Sequence, residues 1–147
     1  MNTSQRKQWM SVLARASWPE LEARWQALGL KVDYQPIRAP EVGLAQVRAR
    51  MGGTGRAFNL GDTTVTRAVI ELAGGGLGYS YVRGRSKAHA ELAAVIDGLM
   101  QTGEMNERLN RELIAPLAAL KAEQEALRRR QVAASKVDFF TMVRGDD

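Results

Sequence analysis

The sequence predicts an α+β fold. Three observations carry this. Both ends of the chain place apolar residues at helical spacing. The middle is rich in β-branched and aromatic residues and punctuated by glycine. No helix-length segment separates the β-rich runs, so parallel pairing, which needs a crossover of about a dozen residues, is excluded. The expected architecture is a single domain over 1–147. It comprises an N-terminal helical hairpin (1–29), a four-stranded antiparallel β-meander (31–84), C-terminal helices (86–134) and an extended apolar tail (135–147) that binds a partner.

Ser4 to about Ala16 is helical, with Trp9, Val12, Leu13 and Ala16 on one side. Ser17-Trp18-Pro19-Glu20 reads as a break and restart. Ser17 is the N-cap and Pro19 lies in the first turn of the next helix. Leu21, Trp25 and Leu28 follow at helical spacing, and Gly29 supplies the stop. All three tryptophans lie here. Helical spacing favours core packing for them; the alternative is an aromatic anchor for a partner.

Four extended runs follow: Val32–Ile37, Val42–Met51, Asp62–Leu72 and Leu77–Val82. Ala39-Pro40-Glu41 reads as the first turn, Gly52-Gly53-Thr54-Gly55 as the second and Gly74-Gly75-Gly76 as the third. Ser86 is a good N-cap for an Ala-rich helix ending near Met100, whose small residues suit close approach to a sheet. Ala90, Ala93, Ala94, Ile96, Asp97 and Met100 follow its rhythm. A last helical region runs from about Asn106 to Ala134, and Pro116 must bend or split it. Its second half carries paired charges and reads as a solvated, protruding or partner-facing helix. The end, from Val137, is apolar and aromatic where termini are usually polar, so something must cover it.

Composition narrows the chemistry. The chain has no cysteine, which removes disulfides, thiolate zinc sites and iron–sulfur ligation. It has one histidine, so no metal site is expected in this chain alone. A net charge of +5 attracts polyanions or an acidic partner. The charge is spread along the chain without a recognition motif, so no nucleic-acid partner is expected. No run is long enough for a membrane span and the start is too polar for a secretory signal, so a cytoplasmic location is expected.

The glycine clusters lack a P-loop or dinucleotide pattern, and hairpin turns explain both. The hydroxyl-rich stretch Gly61–Arg67 suits a polar pocket or a solvated sheet face. Arg83, Arg85, Lys87 and His89 gather at a strand-to-helix turn and form a candidate anion- or nucleotide-binding set. The alternative is a solvated basic turn beside a core pair, Tyr79 and Tyr81. His89 has no evident nucleophile partner, and no catalytic residue is assigned. Partner-interface candidates are Trp9, Val137, Phe139, Phe140, Met142 and Arg144.

The blocks QWMSVLA (8–14), RMGGTG (50–55), GDTTVTRA (61–68), LGYSYVRGRSKAHAE (77–91), LIAPL (113–117) and VDFFTMVRGD (137–146) resemble, in order and spacing, those of the G-subunit (PhnG) family of the bacterial carbon–phosphorus lyase complex. The resemblance implies a subunit of a phosphonate-catabolism assembly, with H, I, J and L subunits as hetero-oligomeric partners. It implies that, with H, I and L, the complex displaces adenine from the ribose of MgATP by methylphosphonate. The product is α-D-ribose 1-methylphosphonate 5-triphosphate. It places the chemistry mainly in the I subunit and leaves this chain to assemble or shape a partner's site, with no cofactor of its own and MgATP as substrate of the complex. A nucleotide- or phosphonate-binding domain is the alternative reading.

Overall fold

A computed structural model describes the backbone of residues 3–50 and 57–145, with side-chain surroundings for residues 3–45 and 63–136. Helix α1 spans Thr3–Arg15 and α2 Trp18–Leu28. Ser17 between them is extended (φ −70°, ψ 146°), and its carbonyl accepts from the Leu21 N–H at 3.0 Å. Its hydroxyl makes no cap bond, so the restart rests on Pro19 in the first turn. Gly29 closes α2 at φ +64°, a left-handed conformation that glycine adopts without a Cβ clash.

Among the described residues the sheet has three strands, not four: β1 (Tyr34–Arg50), β2 (Ala57–Leu72) and β3 (Leu77–Arg83), all antiparallel, in the order β1-β2-β3. The expected runs 32–37 and 42–51 are one strand, because Ala39-Pro40-Glu41 does not turn. The ladder instead slips between Pro36 and Arg38 and between Arg38 and Glu41. β1 is an outer strand, where a proline lacking its N–H is tolerated and bulges absorb the irregularity. The Gly74–Gly76 turn forms as expected: Leu72 N–H donates to the Gly76 carbonyl at 2.8 Å, with Gly75 at φ +97°. The Gly52–Gly55 turn lies outside the described residues.

Helix α3 (Lys87–Met100) lies across the inner face of β2 and β3. Glycine makes that approach possible: a Cβ on Gly78 would collide with the Ala94 carbonyl. Ala68, Ile70, Leu72 and Val82 meet Ala90, Ala93, Ala94 and Ile96 in one buried cluster. Trp9 and Leu13 of α1, Leu21 of α2 and Leu109, Leu113 and Leu117 complete it. Each large aliphatic side chain buried there contributes about 1.5–3 kcal/mol relative to exposure.

The C-terminal region runs as α4 (Gly103–Leu109), a π-helical turn (Asn110–Ile114) and α5 (Ala115–Gly145). Pro116 neither splits nor ends the helix. The wider turn before it, with Ala115 N–H on the Asn110 carbonyl, relaxes the packing that an α-turn would force against the proline ring. The tail expected to be extended is helical as far as Gly145, because no glycine or proline lies between Pro116 and Gly145.

Candidate functional site

The densest polar arrangement centres on Asp97, fully buried in α3. Its carboxylate accepts from Trp9 Nε1 at 2.8 Å, from Arg6 Nη2 at 3.0 Å and from the backbone N–H of Tyr79 at 3.0 Å. Gln101 Nε2 approaches it at 3.3 Å and donates to the Leu77 carbonyl at 2.8 Å. One carboxylate thus ties α1, α3 and β3 together. A buried charge survives only when paired and hydrogen-bonded, and both conditions hold here. The hydrogen bond to Asp97 is the main cause that pushes the Arg6 guanidinium above its ordinary value, against a desolvation that lowers it.

Trp9, an interface candidate from its sequence, is therefore a core residue, 4% exposed. Tyr79 and Tyr81 move the other way. They are 41% and 46% exposed on the outer side of β3 instead of forming a core pair. Arg6 lies over the Tyr79 ring at 5.4 Å and Arg67 over the Tyr81 ring at 5.3 Å. These cation–π contacts hold both phenols against the surface.

The basic set at the β3–α3 turn divides. Arg83, Arg85 and Lys87 are exposed, and none forms an ion pair among the described residues. His89 is buried. Its Nε2 meets the Leu13 carbonyl at 2.8 Å and its ring lies 6.0 Å from that of Trp18. The imidazole links α3 to the first two helices instead of facing a ligand with the three cations. Ser86 caps α3 as expected, accepting from the His89 N–H at 3.2 Å. In the hydroxyl-rich stretch, Thr66 is fully buried and donates to the Gly84 carbonyl at 2.8 Å, closing the same turn.

Elsewhere Tyr34 donates to Glu91 Oε1 at 2.8 Å. Desolvation, and then that bond, push the Tyr34 phenol above its ordinary value. Among the described residues no group of three acidic, histidine or cysteine side chains is placed to hold a metal ion. No described helix is long and apolar enough to cross a membrane.

Two elements reach beyond the core. β3 pairs with β2 only over Val65–Glu71, whereas β1 and β2 stay paired out to Arg50 and Ala57. The outer part is a two-stranded arm, roughly 20 Å long at about 3.3 Å per residue. In α5 no described residue beyond Leu117 is buried, and Leu127 and Val132 are 52% and 60% exposed. The interface candidates Val137, Phe139, Phe140, Met142 and Arg144 continue this helix, with their side chains outside the described residues.

Sequence reasoning missed Arg6, Asp97 and Gln101 as a unit. One signal was present: Asp97 sits on the Ala- and Ile-bearing face of its helix, where an acid needs a buried partner.

Two comparisons with known proteins bear on these features. A family model described as phosphonate metabolism protein PhnG matches residues 4–145. A curated relative from Rhizobium meliloti (strain 1021) is 42% identical over 145 residues, covering 98% of this chain and 92% of its own length. That relative is named alpha-D-ribose 1-methylphosphonate 5-triphosphate synthase subunit PhnG.

Proposed function

The chain belongs to the PhnG family of phosphonate metabolism proteins, and from that membership we propose that it is a subunit of α-D-ribose 1-methylphosphonate 5-triphosphate synthase. It acts by assembling the complex and shaping a partner's site. The bond chemistry belongs to another subunit. The observation that carries the reading is the pair of projections. A two-stranded arm alone is marginal in water, and a helix in which no described residue beyond Leu117 is buried loses, over that stretch, the usual source of helical stability. Both are elements that gain their cover from other chains.

The partners are the H, I, J and L subunits, in a cytoplasmic hetero-oligomer. MgATP and methylphosphonate are the substrates, and adenine is released. The chain supplies no metal or cofactor of its own. Its one histidine is committed to the Leu13 carbonyl, which removes the imidazole as a free base.

The test is co-expression with the H, I and L subunits, followed by purification and an assay of adenine release from MgATP and methylphosphonate. The reading expects a stable complex whose activity disappears when this chain is omitted. A chain that stays outside the complex, or a complex equally active without it, overturns the proposal.

A second reading has its own support in Arg83, Arg85 and Lys87, exposed and without an ion pair among the described residues. At a subunit boundary they would contact the triphosphate, since phosphate oxygens call for such donors. Replacing Arg85 and Lys87 by alanine then lowers turnover while assembly is retained. Unchanged turnover rejects it. For the alternative of a nucleotide- or phosphonate-binding domain acting alone, titration of the isolated chain with MgATP and methylphosphonate decides; no heat at millimolar ligand counts against it.

A further inference from the structure

We propose that the free edge of β3 is a docking site for an extended, acid-bearing segment of another subunit of the same synthase; the proposal rests on the assembly reading above. β2 occupies one side of β3, and among the described residues no strand lies on the other. Backbone groups along a strand alternate between the two sides. The Tyr79 N–H points to the free side, where Asp97 meets it. Gly84, of opposite parity, points inward and donates to the Thr64 carbonyl at 2.8 Å. Tyr81 and Arg83 share the parity of Tyr79 and present their backbone to the free side.

This edge is capped over only part of its length. Gln101 takes the Leu77 carbonyl and Asp97 the Tyr79 N–H. From there to Arg83 the strand borders a groove of 280 Å³ between α1 and β3, with Met10, Ala14, Tyr81, Val82 and Ala93 in its lining. Exposed edges are usually blunted by a proline, an inward charge or a covering element, because they template pairing with other chains. The sequence Tyr79-Ser80-Tyr81-Val82 has no such device. A row of backbone donors and acceptors beside an apolar trough suits an added strand. The backbone pairs with the edge and alternate side chains enter the trough.

Charge selects the occupant. Lys7 lines the groove and Arg83 stands at the end of the strand; neither has an ion pair among the described residues. Arg6 and Arg67 are already placed over the two tyrosine rings. Two unpaired cations beside an open edge match carboxylates on the incoming segment.

Amide hydrogen exchange on the full chain, free and in the complex purified with the other synthase subunits, tests this. The Tyr81 amide should exchange at least tenfold more slowly in the complex, while the Tyr79 amide is protected in both. Ser11→Trp, on the exposed face of α1 beside the groove, should weaken association at least tenfold, as should the double variant Lys7→Glu, Arg83→Glu. If Ser11→Trp fails to fold, the exchange result and the charge variant decide. A Tyr81 amide unchanged in an assembled complex overturns the edge pairing and leaves the assembly reading standing. Folded variants that associate like the unaltered chain do the same. A chain that never enters the complex overturns both.

Discussion

Trp9 and Asp97 stand 88 residues apart in the chain and share a buried 2.8 Å hydrogen bond from indole Nε1 to Oδ1. The same carboxylate holds Arg6 and the backbone of Tyr79, so one side chain ties α1 to the β3 edge. Asp97→Ala leaves the indole N–H and the Tyr79 N–H without partners. Each buried donor left unpaired costs about 1–3 kcal/mol. The expected loss is about 2–4 kcal/mol in urea unfolding, with Asp97→Asn less severe. A loss below about 1 kcal/mol would show that water or neighbouring groups replace the carboxylate.

Gly78→Ala should be among the costliest single-methyl additions in the chain. Its Cβ meets the Ala94 carbonyl, a backbone group that cannot swing aside. Overpacking of this kind costs about 1–3 kcal/mol or forces α3 off the sheet. Gly43→Ala is the control, since its Cβ meets nothing within 4 Å. Equal melting temperatures for the two variants would contradict the close approach.

Tyr34 couples the stability of the fold to alkaline pH. Its phenol is raised above 10.0 by desolvation and by the bond to Glu91, so the fold favours the neutral form. The contribution is fully present below the unfolded value and is lost as pH rises through the higher folded value. The unaltered chain should therefore lose stability relative to Tyr34→Phe as pH is raised past 10. Parallel stability curves for the two proteins across that range would remove the linkage.

Removing residues from Val137 onward should separate folding from assembly. No described residue beyond Leu117 is buried, so the core should unfold within about 0.5 kcal/mol of the full chain. Co-purification with the partner subunits should fail. A truncated chain that still enters the complex would assign assembly to the β1–β2 arm, the β3 edge and the part of α5 before Val137.

Leu127→Glu and Val132→Glu probe the same helix without shortening it. Both side chains are exposed, so the unfolding midpoint should hold while the affinity for partner subunits falls about tenfold. A drop in the midpoint would mean that α5 packs on its own chain.

What the sequence determined by itself was local. Pro19, Gly29, Ser86 and the Gly74–Gly76 run act within a turn or two of chain, and each marked a boundary that the structure keeps. The ordered motif blocks likewise sufficed to identify the family. Tertiary structure decided the rest. Pro40 reads as a turn until an outer strand accommodates it, and Pro116 reads as a break until a π-turn absorbs it. His89 looks like a member of an anion-binding set beside Arg85 until packing commits it to Leu13, 76 residues away. Capping and turn preferences depend on neighbours within about four residues, whereas a buried polar group takes its meaning from whichever distant donor or acceptor the core brings to it.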